Sequence, residues 1–166
     1  YTIPGAKGYE DENGPRMIHT PWYEEPIPFN EAAEIGTRKV IQDHSTLGVV
    51  VTTDGSIGEI PRSDYLEAEE RVVEELKEVG KPFIMIVNSV QPHHPNTVAL
   101  RESLQEKYDI PVLAMSVEGM RESDVYSVLR EALGVSRKRA ISILEHLDAV
   151  RFTVLDKDAG GLRSLR

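Results

Sequence analysis

Residues 81–95, "KPFIMIVNSVQPHHP", decide the fold. Residues 83–87 are apolar without a break, and the run stops at Asn88-Ser89. A run this short, flanked by Pro82 and by polar residues, reads as a strand buried on both faces rather than as a helix. Small polar residues at the point where such a strand stops suit a binding loop, because ligands of open α/β sheets lie outside the carboxyl ends of the strands.

The same grammar repeats on either side. Residues 46–53, "TLGVVVTT", form a β-branched run that reads as a second buried strand, and residues 110–116, "IPVLAMS", as a third. Between them, Ser63 is placed to cap a helix that turns Leu66, Val72, Val73, Leu76 and Val79 inward and closes at Gly80. Leu100 and Leu104 mark a helix over residues 97–107, and "ESDVYSVLREAL" a further one over Glu122–Leu133. Upstream, residues 31–44 bring Ala32, Ile35, Val40 and Ile41 near one helical face. Residues 1–30 are rich in Gly and Pro and read as a long loop or irregular arm. Strands alternating with helices predict an α/β domain with a parallel sheet and right-handed crossovers.

Composition narrows the chemistry. The 166 residues are 40% hydrophobic and 28% charged, enough for one domain with a core and a small appendage. No cysteine is present, which excludes a thiol nucleophile, a disulfide framework and a Cys-based zinc site. No apolar run approaches the length of a membrane-spanning helix. Charge is unevenly shared: residues 1–133 hold 12 basic and 24 acidic side chains, net −12, whereas residues 134–166 hold 7 and 4, net +3. A change of sign along a chain marks either two modules with different partners or a short tail of chance composition.

Three strand exits carry small polar residues: Thr52 to Gly55, Asn88-Ser89 and Ser116-Val117. Any one of them is a strand going polar where it must; the three together point to a site. A phosphate-gripping G-x-x-x-x-G-K-[ST] loop does not occur in the sequence, and "GAKG", residues 5–8, has neither a strand before it nor a clear helix after it. His93 and His94 are adjacent, so they diverge on extended backbone and chelate poorly; with His19, His44 and His146 they read as solvated. Glu69, Glu70, Glu74 and Glu75 have the spacing of a solvated helix face rather than of an acid–base pair. Ser63, His44 and Asp64 make no recognisable nucleophile arrangement.

The continuous stretch from "YTIPGAKGYEDENGP" through "TLGVVVTTDGSIGEIPRSDYLEAEERVVEELKEVGKPFIMIVNSVQPHHP" to Leu133 resembles the stage IV sporulation protein A family of endospore-forming bacteria. The resemblance implies a P-loop GTPase-like domain of the translation-factor class, in three layers around a parallel sheet, that has become an ATPase. It implies ATP and Mg²⁺ as cofactors, a place in the basement layer of the spore coat, and self-association and other coat morphogenetic proteins as partners. The implied location is the mother-cell cytoplasm, on the outer surface of the forespore. By the same resemblance Tyr1 lies just past the Asp-x-x-Gly motif. The phosphate loop and the Mg²⁺ ligands then fall upstream, and Gly5 and Gly8 belong to the switch region. The chain reads as a fragment with no catalytic residue of its own, inactive alone.

GTPases of that class read guanine with Asn-Lys-x-Asp, and the matching residues here are Asn88, Ser89, Val90 and Gln91. Asn88 keeps its power to bond a purine edge; Ser89 is too short to cover the ring; neutral Gln91 loses the charged pair to guanine. Ser116 and Val117 stand where the last base-contacting loop belongs, with Ser116 as a backbone-type contact. The resemblance together with these departures implies adenine rather than guanine.

After Leu133 the pattern changes. Ser136 caps a helix over residues 137–147 with Ile141, Leu144 and Leu147 inward, and "RFTVLDKDAGGLRSLR" reads as strand, Gly-Gly turn, strand. This helix and hairpin resemble the last winged-helix module of the selenocysteine-specific elongation factor, which implies an RNA hairpin partner with Arg137, Lys138 and Arg139 on its phosphates. The alternative reading is a basic amphipathic helix that ends the domain. Two families meeting at the point where the charge changes sign make a domain of residues 1–133 and a tail of residues 134–166, joined as a fusion or an assembly artefact.

Overall fold

The computed structural model describes residues 3, 8–12, 14–150, 153–156 and 162–165. At its centre three parallel strands, β5 (Gly48–Thr53), β6 (Phe83–Asn88) and β7 (Val112–Met115), lie in the order β5-β6-β7. The strands β1 (Glu10–Asp11) with β2 (Gly14–Pro15), and β3 (Met17–Thr20) with β4 (Tyr23–Pro28), precede them as two antiparallel ribbons. The described residues of this segment are therefore largely paired strands rather than a loop or irregular arm. Their Gly and Pro hid the pairing, since a two-stranded ribbon has only edges and tolerates proline where a central strand does not.

α2 (Leu66–Val79) and α3 (Pro95–Tyr108) cover one face of the sheet, where Val72, Val73, Leu76, Leu104 and Tyr108 pack with Val50, Met85, Val87 and Val112. On the other face Val128 of α4 (Glu122–Leu133) packs with Ile84, Ile86 and Met115. With layers on both sides, β6 must be apolar throughout, and residues 83–87 are all buried. β5 departs from the expected fully buried strand. It is an outer strand, and Val51 is 56% exposed while Val50 on its other face is buried.

The helices also correct the sequence reading in detail. α1 (Phe29–Lys39) runs into a π-helical turn, Val40–His44, whose different angular step leaves Val40 54% exposed rather than inward. Ser63 does not cap α2: it sits in a 3₁₀ turn, Arg62–Tyr65, that feeds directly into the helix, and its hydroxyl donates to Asp64. Leu66, at the first position after that turn, is exposed. α3 starts two residues earlier than its leucines suggest, because Pro95 fits the first helical position and His94 Nδ1 accepts the Asn96 N–H at 3.2 Å. Glu69 is the largest departure, since it lies 4% exposed inside the domain and not on a solvated face.

α5 (Arg137–Ala149) packs against α4 and against β8 (Thr153–Asp156), which pairs antiparallel with β9 (Leu162–Leu165). Helix followed by hairpin is the order expected of the tail; its Gly-Gly turn lies outside the described residues. Ala140 and Leu144 are the buried centre of the α5 face, and Ile141 and Leu147 flank it half-buried.

Candidate nucleotide-base site

The three parallel strands end level. Thr53 is in register with Asn88, and Asn88 with Met115, so the exits of β5, β6 and β7 form one lip. Hydrogen bonds stitch the three exit loops together. Ser89 N–H donates to Met115 O at 3.1 Å, Val117 N–H to Asn88 Oδ1 at 3.0 Å, and Val90 N–H to Ser56 Oγ at 3.1 Å.

Asp54 anchors the β5 side. The Asp-Gly-Ser sequence folds as an Asx turn in which Ser56 N–H and Ser56 Oγ both donate to Asp54 Oδ1. Gly55 adopts φ 91°, a conformation that favours glycine, with its Cβ position against Arg62. The Thr97 hydroxyl, from the first turn of α3, donates to Asp54 Oδ2 at 2.8 Å. Partial burial alone would raise the Asp54 pKa, but the hydroxyls of Ser56, Ser89 and Thr97 and the Ser56 N–H favour the carboxylate and hold it at about 2. A shallow polar depression of about 280 Å³ opens here, lined by Asp54, Ser56, Gln91, His94, Asn96 and Thr97. A larger apolar groove of about 410 Å³ runs instead along β5, between Val40, Ile41, Val49 and Tyr65, and does not include Asn88 or Ser116.

The structure thus brings Asn88, Ser89, Gln91, Ser116 and Val117 to neighbouring exit loops. It also gives them distinct circumstances. Ser89 is 0% exposed, and its hydroxyl accepts the Gln91 N–H at 3.0 Å while also bonding Asp54, so it works inside the loop. Gln91 and Val117 are exposed, and Asn88 is half-buried. Ser116 Oγ accepts the Gly119 N–H at 3.3 Å. Gly8 sits before β1 with φ 101°, its carbonyl accepting from Arg16 at 3.3 Å, and Gly5 lies outside the described residues.

Sequence reasoning missed two groups. Asp54 was visible as a strand exit, and the Asp-Gly-Ser turn chemistry was the signal for its role. The second group is buried beneath the lip: Arg62 meets Glu69 at 2.8 Å, donates to Thr52 Oγ1 at 3.2 Å, and Tyr108 OH donates to Glu69 Oε1 at 3.0 Å. Burial, reinforced by the Glu69 charge, raises the Tyr108 pKa and keeps it a donor. The signal for Glu69 was its helical position, three, four and seven residues before the inward Val72, Val73 and Leu76, a face that Glu70, Glu74 and Glu75 do not share.

The family model described as stage IV sporulation protein A, ATPase domain, matches residues 1–135. The chain belongs to the stage IV sporulation protein A family. Over 133 residues it is 83% identical to stage IV sporulation protein A of Bacillus subtilis (strain 168), which covers 80% of this chain and 27% of that protein. The corresponding protein of Bacillus anthracis is 82% identical over 133 residues, and that of Clostridioides difficile (strain 630) 48%, with the same coverage. The chain therefore spans 27% of the length of these relatives. A second family model, elongation factor SelB, winged helix, matches residues 126–159, and so begins inside α4 rather than after it. No solved structure matches the chain. Among the described residues no helix is long and apolar enough to cross a membrane.

Proposed function

We propose that this chain supplies the base-contacting part of an adenine-nucleotide site in a sporulation ATPase. On this reading the parallel sheet is part of a P-loop GTPase-like domain, and the parent protein assembles the basement layer of the spore coat. It does so in the mother-cell cytoplasm, on the forespore surface, with copies of itself and other coat proteins as partners.

One observation carries the reading: Asn88, at the level end of β6, lies in the lip beside Val117, the arrangement a base-reading loop requires. Asn88 Oδ1 accepts the Val117 N–H, which leaves the amide NH₂ as a donor suited to purine N7. Two departures weigh against guanine. The Ser89 side chain is turned inward, so it offers no ring cover, and Gln91 has no charge to pair with the guanine N1–H and 2-amino group.

Among the described residues, the groups at the lip do not fit Mg²⁺. Among the described residues no group of three His, Cys, Asp or Glu is placed to hold a metal, and the Asp54 carboxylate is engaged by Ser56, Ser89 and Thr97. No phosphate-loop pattern occurs in the sequence either. Hydrolysis accordingly needs groups from elsewhere. The test has two parts. Phosphate release by the purified chain with Mg-ATP is expected to stay at background. Titration of the labelled chain with AMP is expected to move backbone amide resonances at residues 88–91 and 116–117. Shifts confined to other residues, or turnover at the rate of an ordinary ATPase, would sink the reading.

A second reading has its own observation. Arg137, Lys138 and Arg139 are all exposed in the first turn of α5, where cations oppose the helix dipole, so helix stability is not the reason for them. With the winged-helix match, this supports RNA binding by the tail. Its test is an RNA hairpin whose binding weakens with salt and with Arg137→Ala; binding indifferent to both would remove it.

A further inference from the structure

A purine is read at position 6 by the hydrogen-bonding sense of what faces it. A 6-oxopurine presents an acceptor there and needs a donor; a 6-aminopurine presents a donor and needs an acceptor. Side-chain hydroxyls and amides discriminate poorly between the two, because a hydroxyl both gives and accepts and an amide can turn over. Ser116 and Gln91 are of this kind. Only a group of fixed sense makes the distinction, and the one that bonds Asn88 itself is the backbone N–H of Val117.

This N–H is already engaged. It donates to Asn88 Oδ1 at 3.0 Å, from the exit of β7 to the exit of β6. The bond has two consequences. Because a backbone N–H only donates, the Asn88 oxygen must face it, which fixes the amide the other way round towards the mouth of the lip, donor outward. That donor suits N7, which every natural purine carries, and so gives no preference at position 6. The same bond removes the fixed donor that a 6-oxo group would need. A 6-oxopurine entering here must either break the Asn88–Val117 bond or leave its oxygen unpaired, whereas the second lone pair of Asn88 Oδ1 remains to accept from a 6-amino group.

We propose that the Asn88–Val117 hydrogen bond is the specificity device of this site, disfavouring 6-oxopurines and so leaving 6-aminopurines as its ligands. The inference rests on the nucleotide reading above and deepens it, by naming the atoms that choose between bases. Asn88 thereby has two tasks: its nitrogen binds the base, and its oxygen closes the site to the wrong one.

Adenosine and inosine isolate the 6-substituent, since neither has a 2-amino group or a phosphate. The labelled chain is titrated with each nucleoside and affinities are read from amide shifts at residues 88–91 and 116–117. The wild-type chain is expected to prefer adenosine by about tenfold, the scale of one unpaired hydrogen-bonding group. Asn88→Ala frees the Val117 N–H and removes the N7 donor; both affinities fall, and the preference collapses towards unity. Asn88→Asp keeps an acceptor for Val117 while removing the N7 donor, so both affinities fall together and the preference stays. Amide hydrogen exchange at Val117 reads the bond itself, expected fast in Asn88→Ala and slow in Asn88→Asp. Equal binding of the two nucleosides by the wild-type chain overturns the inference while leaving the base site standing. So does an Asn88→Ala variant that exchanges Val117 rapidly and still prefers adenosine tenfold. If neither nucleoside moves these amides, the base site itself is wrong and the inference falls with it.

Discussion

Thr97 and Asp54 meet across the mouth of the sheet: the hydroxyl that opens α3 donates to the carboxylate that follows β5, 2.8 Å away and 43 residues apart. This contact and the Ser56 and Ser89 bonds to the same carboxylate lock the loop after β5 to the loop after β6. The Asp54 pKa of about 2 makes the lock pH-dependent. The folded value is depressed below the ordinary 3.8, so the stabilisation is complete above about pH 4 and is lost as pH falls towards 2. Allowing for solvent screening of a partly exposed group, about 1–2 kcal/mol is at stake. Denaturant midpoints measured from pH 6 down to pH 2 are expected to fall more steeply below pH 4 in the wild-type chain than in Asp54→Asn. Parallel curves would mean that Asp54 is not the group responsible.

Beneath this lock lies an ion pair between buried Glu69 and half-buried Arg62 whose worth cannot be read from single substitutions. Glu69 is 4% exposed and bonded to both Arg62 and Tyr108. Glu69→Ala strands the Arg62 guanidinium without its counter-ion, which typically costs about 3–5 kcal/mol. Arg62→Met together with Glu69→Leu removes both charges and is expected to cost clearly less than Glu69→Ala alone. A double-mutant cycle by chemical denaturation measures this, and simple additivity of the two single changes would show that the pair does not act as a unit.

That pair also marks where the sequence became opaque. β6 and α4 were legible because each has one strong period: residues 83–87 apolar in series, and Glu122–Leu133 closed by Gly134. Glu69 was not, because its charge outweighed its position: the helical period sets it on the face of Val72, Val73 and Leu76, but a carboxylate is assigned to solvent unless a partner is known. Its partner, Arg62, lies in a 3₁₀ turn that no pattern announces. α3 was read from Leu100 and Leu104, yet Thr97 and Tyr108 are buried beside Leu104 because Asp54 and Glu69 await their hydroxyls. The residues of the lip were found because strand exits have fixed positions in a parallel sheet. Which of them faces inward depends on the loop hydrogen bonds, and these are long-range facts.

Lys81 performs a task that its place before β6 does not suggest. Its Nζ donates to the carbonyls of Ile41, Gln42 and Ser45 at 2.7, 2.6 and 2.8 Å, closing the end of the π turn after α1. A cation on helix-end carbonyls also complements the helix dipole. Lys81→Met keeps the aliphatic stem and deletes the donors, and is expected to destabilise the chain by about 1.5–3 kcal/mol, the range for hydrogen bonds to a charged group. Urea unfolding measures it; a loss under about 0.5 kcal/mol would show that water replaces the ammonium at no cost, as it does at an ordinary surface lysine.

Writing Asn-Lys-x-Asp into residues 88–91 is the most demanding test of the proposed base site, and the structure divides it unequally between its two substitutions. Gln91 is exposed at the lip, so Gln91→Asp adds an acceptor without disturbing packing. Ser89 is 0% exposed and bonded to Gln91 N–H and to Asp54. A lysine there must leave the interior, breaking both bonds and pulling the loop away from Asp54, or be buried beside a carboxylate already satisfied by hydroxyls. Either route destabilises the chain, by roughly 2–4 kcal/mol for the lost buried bonds and the strain of an oversized side chain. Gln91→Asp alone is expected to leave the unfolding midpoint within experimental error and to improve guanosine binding relative to adenosine by a few-fold, since the new carboxylate can accept from N1–H and the 2-amino group. Ser89→Lys with Gln91→Asp is expected to lose stability and to improve guanosine binding no further, because the loop that presents residue 91 is no longer held by Asp54. Paired measurements of unfolding and of nucleoside affinity decide the matter. A double variant as stable as the wild-type chain, with a larger gain for guanosine than Gln91→Asp alone, would show that residue 89 faces the base and that its burial beside Asp54 is not what shapes the loop.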